Sequence, residues 1–150
     1  MTARFSILIP TLGRPELLHS LQSCIEQGLL PGDEVLVVGD ERQGPLPKVA
    51  ALCEKLGPQF RYLGYDFGHA CWGHCGLTAA MQEARGDYLV FNDDDDIFTS
   101  FALRSIRFAV DRQPEPMPHL FRFLTHYGIR AWGYPGGEQG NVGGHCLVGP

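Results

Sequence analysis

The sequence predicts a doubly wound α/β fold: a mostly parallel sheet with helices on both faces and a small antiparallel addition near the C-terminus. Three observations carry this reading. Apolar strand-like runs alternate with helical patterns over the first two thirds of the chain, as in βαβ units with right-handed crossovers. The second run, Glu34–Gly39 (EVLVVG), is nearly all apolar, as strands are when a sheet is covered on both faces. Three of the runs end in short polar loops, Pro10–Arg14, Gly39–Arg42 and Asn92–Asp96. Open α/β sheets keep their ligands beyond such strand ends.

Phe5–Pro10 (FSILIP) reads as the first strand, closed by Pro10. The loop Thr11-Leu12-Gly13-Arg14 follows, and Pro15 suits the first turn of a helix, where its missing N–H is no loss. Glu16–Gln27 is that helix, with Leu17, Leu18, Leu21 and Ile25 at helical spacing and Gly28 as its stop. The turn Pro31-Gly32-Asp33 leads into the second strand, which ends in Asp40-Glu41-Arg42. Lys48–Leu56 is a shorter helix, and Phe60–Leu63 is a third strand set off by Gly57-Pro58 and Gly64. Trp72–Ala84 makes a third helix with Leu77, Ala80, Met81 and Ala84 on one face. It feeds Tyr88–Phe91, a short buried strand opening after Gly86. Ser100–Asp111 is a fourth helix, with Phe101, Leu103, Ile106, Phe108 and Val110 as its apolar positions and Arg104, Arg107 and Arg112 on its wet face. The Pro-rich segment 113–118 stops it. His119–Thr125 alternates like a strand with one solvated face, and Ile129–Tyr134 pairs with it through Tyr127-Gly128. Pro135–Gly144 is a Gly-rich loop, and Cys146-Leu147-Val148 begins a strand whose open edge invites a second chain.

The chain has 150 residues, enough for one domain with a real core. Its net charge of −5 owes four units to the run Asp93-Asp94-Asp95-Asp96, so the remaining surface is nearly neutral. No basic stripe marks a nucleic-acid partner. No apolar run approaches the ~20 residues of a membrane span, and the N-terminus lacks a signal-peptide pattern. With an odd count of 5 Cys, reduced thiols and a cytoplasmic location are the default.

The four adjacent carboxylates repel one another, and a cation offsets that repulsion. Oxygen-only ligands on a tight loop suit a hard divalent ion, Mg²⁺ or Mn²⁺. The competing reading is a solvated acidic turn capping the next helix. A crevice lined by two polar loops and a carboxylate-held metal suits a nucleoside diphosphate, with the metal bridging the phosphates. The chain lacks G-x-x-x-x-G-K-[ST], and no G-x-G-x-x-G follows its first strand. Walker-type ATPase and dinucleotide dehydrogenase readings are therefore disfavoured.

FSILIPTLGRPELLHSLQSC, then DEVLVVGDE, then ARGDYLVFNDDDD together resemble the nucleotide-binding half of a GT-A glycosyltransferase, of the large inverting family 2. The resemblance covers nearly the whole chain in order and spacing and implies a Rossmann-like GT-A fold. It implies transfer of a sugar from a nucleoside-diphosphate donor, UDP- or GDP-linked, to an acceptor saccharide or other hydroxyl compound. In that family a D-x-D element holds Mn²⁺ or Mg²⁺ on the donor diphosphate. Asp93-Asp94-Asp95 stands in its place, with Asp96 following. Asp95 is thereby expected as the direct metal ligand, with Asp93 and Asp96 beside it, and Asp93 and Asp94 on the nucleotide. The family's first loop packs on the nucleobase, pointing to Pro10, Thr11 and Arg14, and an acid after its second strand points to Asp40. Gly140–Gly144 matches a recurring G-N-V-G-G segment, placing Asn141, Gly143 and Gly144 on the sugar or acceptor side. Two departures stand out. Leu77-Thr78 occupies the place of a common Arg-Asn pair, for which His74 is the nearby substitute. The family's catalytic base lies downstream of the Gly-rich loop, beyond Pro150. The expectation is a single nucleotide-sugar-binding domain truncated on its acceptor side.

Other readings stay open. A nucleotidyltransferase also joins an α/β sheet to paired carboxylates, although Leu12-Gly13-Arg14 is a poor phosphate loop. A non-catalytic nucleotide- or metal-binding module is the other. His69, Cys71, His74 and Cys75 (HACWGHC), with His145-Cys146 later, are soft-metal ligand types at a spacing that matches no familiar zinc site. Simple burial of the thiols competes with zinc there. Trp72 and Trp132 read as packing aromatics.

Overall fold

The computed structural model describes residues 2–69, 74–121, 123–124, 130–131 and 147–150. Four apolar runs form parallel strands: β1 (Phe5–Thr11), β2 (Glu34–Asp40), β3 (Phe60–Tyr65) and β4 (Tyr88–Phe91). Each is followed or preceded by a helix: α1 (Leu17–Glu26), α2 (Pro47–Leu56), α3 (His74–Glu83) and α4 (Ala102–Val110). Two short strands, β5 (His119–Leu120) and β8 (Leu147–Gly149), extend the sheet antiparallel, giving the order β3-β2-β1-β4-β8-β5. A separate antiparallel pair is made by β6 (Phe123–Leu124) and β7 (Arg130–Ala131). The doubly wound, mostly parallel sheet with a small antiparallel addition is thus present.

Side chains alternate across the sheet, so each strand feeds two cores. Phe5, Ile7, Ile9, Val35, Val37 and Val90 meet the buried faces of α1, α2 and α4 on one side. Leu8, Leu36 and Val38 meet Ala80 of α3 on the other, with Leu77 and Ala84 partly buried against them. Each fully buried aliphatic side chain contributes roughly 1.5–3 kcal/mol, and β2 is buried through Val35–Val38 on both faces. That is why its sequence shows no alternation.

The sheet's amino end is tied by carboxylates. Asp33 accepts the backbone N–H groups of Phe5 (2.9 Å) and Leu30 (2.7 Å) and an ion pair from Arg107 (2.6 Å). Glu34 accepts from Ser6 Oγ (2.8 Å), the Arg85 N–H (2.6 Å) and Arg61 (2.8 Å). Burial alone would raise the Glu34 pKa, but these donors hold it below its ordinary value. Gly86 is required here by crowding: a Cβ would sit 2.5 Å from the Ser6 nitrogen.

Several sequence expectations are corrected. Arg107 is not on a wet face: its guanidinium lies 4.1 Å from the Phe5 ring centroid and reaches Asp33 and the Ala3 carbonyl. On α4 the buried stripe is Leu103, Ile106 and Val110, whereas Phe101 and Phe108 are exposed. On α1, Ser20 and Cys24 join Leu17 and Leu21 in the core, while Leu18 and Ile25 face out. Met81 of α3 is also exposed. The single strand expected at 119–125 is split, because β5 pairs with β8 in the main sheet and β6 with β7 outside it. The expected open edge at Val148 is instead interior, since β8 is bonded to β4 on one side and β5 on the other.

Candidate active site

From β1 the chain winds outward through β2 to β3, then crosses back to place β4 on the other side of β1. The connections after β1 and β4 therefore diverge, and their carboxyl ends frame a crevice at the point where strand order reverses. Thr11 closes β1 there, and Asn92–Asp96 follows β4.

The two loops are clasped through Asp94, whose side chain is 2% exposed. Thr11 Oγ1 donates to Asp94 Oδ2 at 2.7 Å and accepts the Gly13 N–H at 2.9 Å. Gly13 has φ +79°, a left-handed turn that a side chain would strain. It folds the loop so that Arg14 returns over the crevice. The Arg14 guanidinium bonds both Asp94 oxygens through Nε (3.4 Å) and Nη2, and its Nη1 lies 3.4 Å from Asp95 Oδ2. The hydrogen bond to Asp94 raises the Arg14 pKa further, so this group is a fixed positive charge. Arg14 and Asp95 are both about half exposed, at 49% and 51%.

The acidic loop is built around an asparagine. Asn92 is buried, and its Nδ2 donates to Ser20 Oγ (2.9 Å), the Asp93 carbonyl (3.1 Å) and the Asp96 carbonyl (3.4 Å). The Asp96 N–H closes the turn onto the Asp93 carbonyl at 3.2 Å. This leaves Asp93 and Asp95 exposed on the rim, with Asp96 half-buried. Ser20 escaped the sequence reading, and Asn92 entered it only as the first residue of a polar loop. Their only signals are a polar residue ending an apolar strand and a serine within an apolar helix stripe.

At the end of β2, Arg42 Nε lies 2.8 Å from both oxygens of Asp40. That hydrogen bond is the chief reason the Asp40 carboxyl is held below its ordinary pKa, and the nearby His69 adds to it. Glu41 accepts from Tyr62 Oη (2.7 Å) and the Leu46 N–H (3.2 Å), fixing the same loop. Burial first, and then Glu41, raise the Tyr62 hydroxyl pKa, keeping it a neutral donor. Gly39 and Gly64 are small because Tyr62 and Glu41 fill the space a Cβ would need.

The start of α3 lies over the same strand ends. A Cβ on Gly76 would approach Val38 Cγ1 (3.3 Å) and Pro10 Cβ (3.8 Å). His74 is exposed in the helix's first turn, and Cys75 Sγ is 3.9 Å from His69 Nε2. Thus Pro10, Thr11, Arg14, Asp93, Asp94, Asp95 and Asp96 gather at the β1–β4 crevice, with Asp40 at the end of β2 and His74 at the start of α3 beside it. Asn141, Gly143 and Gly144, like Cys71, Trp72, Trp132, His145 and Cys146, lie outside the described residues.

Among the described residues no three His, Cys, Asp or Glu side chains are grouped to hold a metal ion by themselves. The rim carboxylates still fit a hard cation: Asp93 and Asp95 are exposed oxygen donors on a turn held by Asn92. Mg²⁺-like ions commonly take one or two carboxylates and draw remaining ligands from water and substrate phosphate.

A family model described as "Glycosyl transferase family 2" matches residues 6–115. The chain is 35% identical over 97 residues to the uncharacterized glycosyltransferase YwdF of Bacillus subtilis (strain 168), covering 64% of this chain and 34% of YwdF. It superposes on the crystal structure of S. aureus TarS 1-349 in complex with UDP with a TM-score of 0.70 and 19% identity, covering 89% of this chain and 38% of that one. The mannosyltransferase PcManGT from Pyrobaculum calidifontis, in complex with GDP-Man and Mn²⁺, gives a TM-score of 0.70 at 16% identity, covering 99% of this chain and 45% of that one. The chain therefore spans about a third of YwdF and less than half of either solved structure.

Proposed function

The chain belongs to glycosyl transferase family 2, and from that premise we propose that it binds a nucleoside-diphosphate sugar across the carboxyl ends of β1, β2 and β4. The sugar passes to an acceptor hydroxyl with inversion at the anomeric carbon, the acceptor being a saccharide or other hydroxyl compound. UDP- and GDP-linked sugars are the donor classes, in keeping with the UDP and GDP-Man complexes of its structural neighbours. Family membership sets aside the nucleotidyltransferase alternative.

The observation that carries this reading is the Asp94 clasp at the sheet's switch point. By enclosing Asp94, Thr11 and Arg14 hold the acidic loop at the strand ends, with Asp93 and Asp95 left exposed beside it. Asp95 and Asp93 would hold Mg²⁺ or Mn²⁺, with Asp96 next in the loop and the remaining ligands from water and phosphate, and the ion when bound supplies Lewis acidity at the diphosphate leaving group. Asp40, set at the end of β2, accepts hydrogen bonds from the base or ribose, and Pro10 lines the base side. His74, in the exposed first turn of α3, contacts phosphate or sugar. Asn141, Gly143 and Gly144 complete the sugar or acceptor side. Among the described residues no carboxylate is assigned as the base that takes the acceptor proton.

On this reading residues 1–150 form one donor-binding domain. A cytoplasmic location belongs to the same proposal: Cys24 and Cys53 are buried thiols outside any disulfide, as suits a reducing compartment. Among the described residues no helix is long and apolar enough to cross a membrane.

Calorimetric titration of UDP and GDP, with and without Mn²⁺, tests the donor site. One nucleotide should bind in a Mn²⁺-dependent way, and Asp95→Ala should weaken that binding at least ~10-fold while shifting stability by less than about 0.5 kcal/mol, as for other exposed positions. If neither nucleotide binds the folded wild-type chain, the donor-site reading fails.

A further inference from the structure

We infer that Arg14 is a built-in counter-cation for the acidic loop, holding the place beside Asp95 that a divalent ion takes, and that donor and metal must displace it together. The inference rests on the donor-site reading above and deepens it.

The observation is one guanidinium serving two carboxylates of opposite character. Asp94 is buried, and its hydrogen-bond donors are Thr11 and Arg14. Asp95 is half exposed and lies within 3.4 Å of the same guanidinium. With adjacent aspartates repelling one another, the planar fork of an arginine is the side chain suited to bridging two of them. A divalent cation arriving at Asp95 meets a fixed positive charge at that distance. In the chain without nucleotide, metal uptake is therefore opposed by Arg14 as well as by the ion's own dehydration.

A nucleoside diphosphate changes the balance. Its phosphate oxygens offer Arg14 a second anionic partner, so the guanidinium's outer nitrogen can leave Asp95 while Nε and Nη2 stay on Asp94. The opposition to metal is then relieved by the same ligand that shares the metal. Coupling of this kind is reciprocal: the nucleotide tightens the metal and the metal tightens the nucleotide by one factor. Part of that factor comes from Arg14 and vanishes with it.

The test is Mn²⁺ binding to the chain, read from the free-Mn²⁺ electron paramagnetic resonance signal, with and without UDP or GDP. Arg14→Gln should bind Mn²⁺ without nucleotide about threefold or more tightly than wild type, the scale of one half-exposed ion pair. Its gain in Mn²⁺ affinity on adding the nucleotide should be correspondingly smaller. A merely structural role for Arg14 predicts the reverse sign, since a loosened loop holds metal less well. Unchanged or weaker Mn²⁺ binding by folded Arg14→Gln overturns the inference. Should that variant fail to fold, Arg14→Lys decides, because it keeps a charge for Asp94 but cannot span both carboxylates. A gain in nucleotide-free Mn²⁺ affinity there supports the inference, and none overturns it. If wild type binds neither Mn²⁺ nor nucleotide, the donor-site reading itself has failed. Wild type binding both with no gain in the variant refutes the role of Arg14 alone.

Discussion

The two ends of the sheet both bury a carboxylate beside an arginine, and they use it differently. At the amino end, Asp33 takes two backbone N–H groups and Arg107, while Glu34 takes Ser6, Arg85 and Arg61. Those acids face inward and join β1, β2, α4 and the turn before β4. At the carboxyl end Asp94 is enclosed by its donors, while its neighbours Asp93 and Asp95 stay on the surface. Charge enclosed by donors fastens strands to helices. Charge left at a rim beside one enclosed acid remains available to a ligand. The same residue types thus make a rivet at one end and a site at the other.

The sharpest way to break this contrast is to remove the rivet. Asp33→Ala would leave Arg107, whose side chain is only 12% exposed, without its carboxylate partner and strip acceptors from two N–H groups. Breaking a buried pair from one side costs about 3–5 kcal/mol, so urea unfolding should show a loss of that size. Asp95→Ala, by contrast, should leave the same transition nearly in place and change ligand binding. A small loss for Asp33→Ala would mean that the amino end is not the fastening point. Thr11→Val comes next. It keeps the side chain's shape but removes one of the donors to buried Asp94 and the acceptor for Gly13. An unsatisfied buried polar group costs about 1–3 kcal/mol. Both stability and UDP or GDP affinity should fall in this variant, because Asp94 belongs to the core and to the site. A change in only one of the two would separate the clasp from the crevice.

The parallel core was legible because Val35–Val38 is apolar without interruption, a pattern that only double-sided burial explains. The side that α4 turns inward was not. Leu103, Ile106 and Val110 form one apolar stripe, while Phe108 elsewhere on the helix and Phe101 just before it are equally apolar but exposed. The choice is set by Asp33, which draws Arg107 down onto Phe5 from a distant part of the chain. The acidic loop shows the same limit. Four identical aspartates mark a site, yet nothing local says that Asp94 turns inward. That depends on Thr11 and Arg14, which precede it by 83 and 80 positions. Ser20 and Asn92 likewise acquire a role only when α1 is laid against the end of β4.

A gentler probe tests whether exposed carboxylates at the amino end also act as fasteners. Asp87 accepts the Arg4 backbone N–H (2.9 Å) and its guanidinium Nη2 (2.7 Å), and the Arg4 hydrogen bonds hold its pKa down at about 2. A depressed carboxyl stabilises the folded state above its unfolded pKa of about 4. That contribution drains away as pH falls from there through the folded value near 2. Both partners are about half exposed, 52% and 46%, so solvent and salt screen the pair and the effect should be the smallest of the series. Asp87→Asn should therefore flatten the wild-type stability loss between pH 4 and 2 while changing little at pH 7 in high salt. Unfolding midpoints measured across that range, at low and high salt, decide it. If the wild-type slope persists in Asp87→Asn, the acid sensitivity belongs to the enclosed Glu34, whose donors hold its pKa down, and exposed pairing contributes nothing to the rivet.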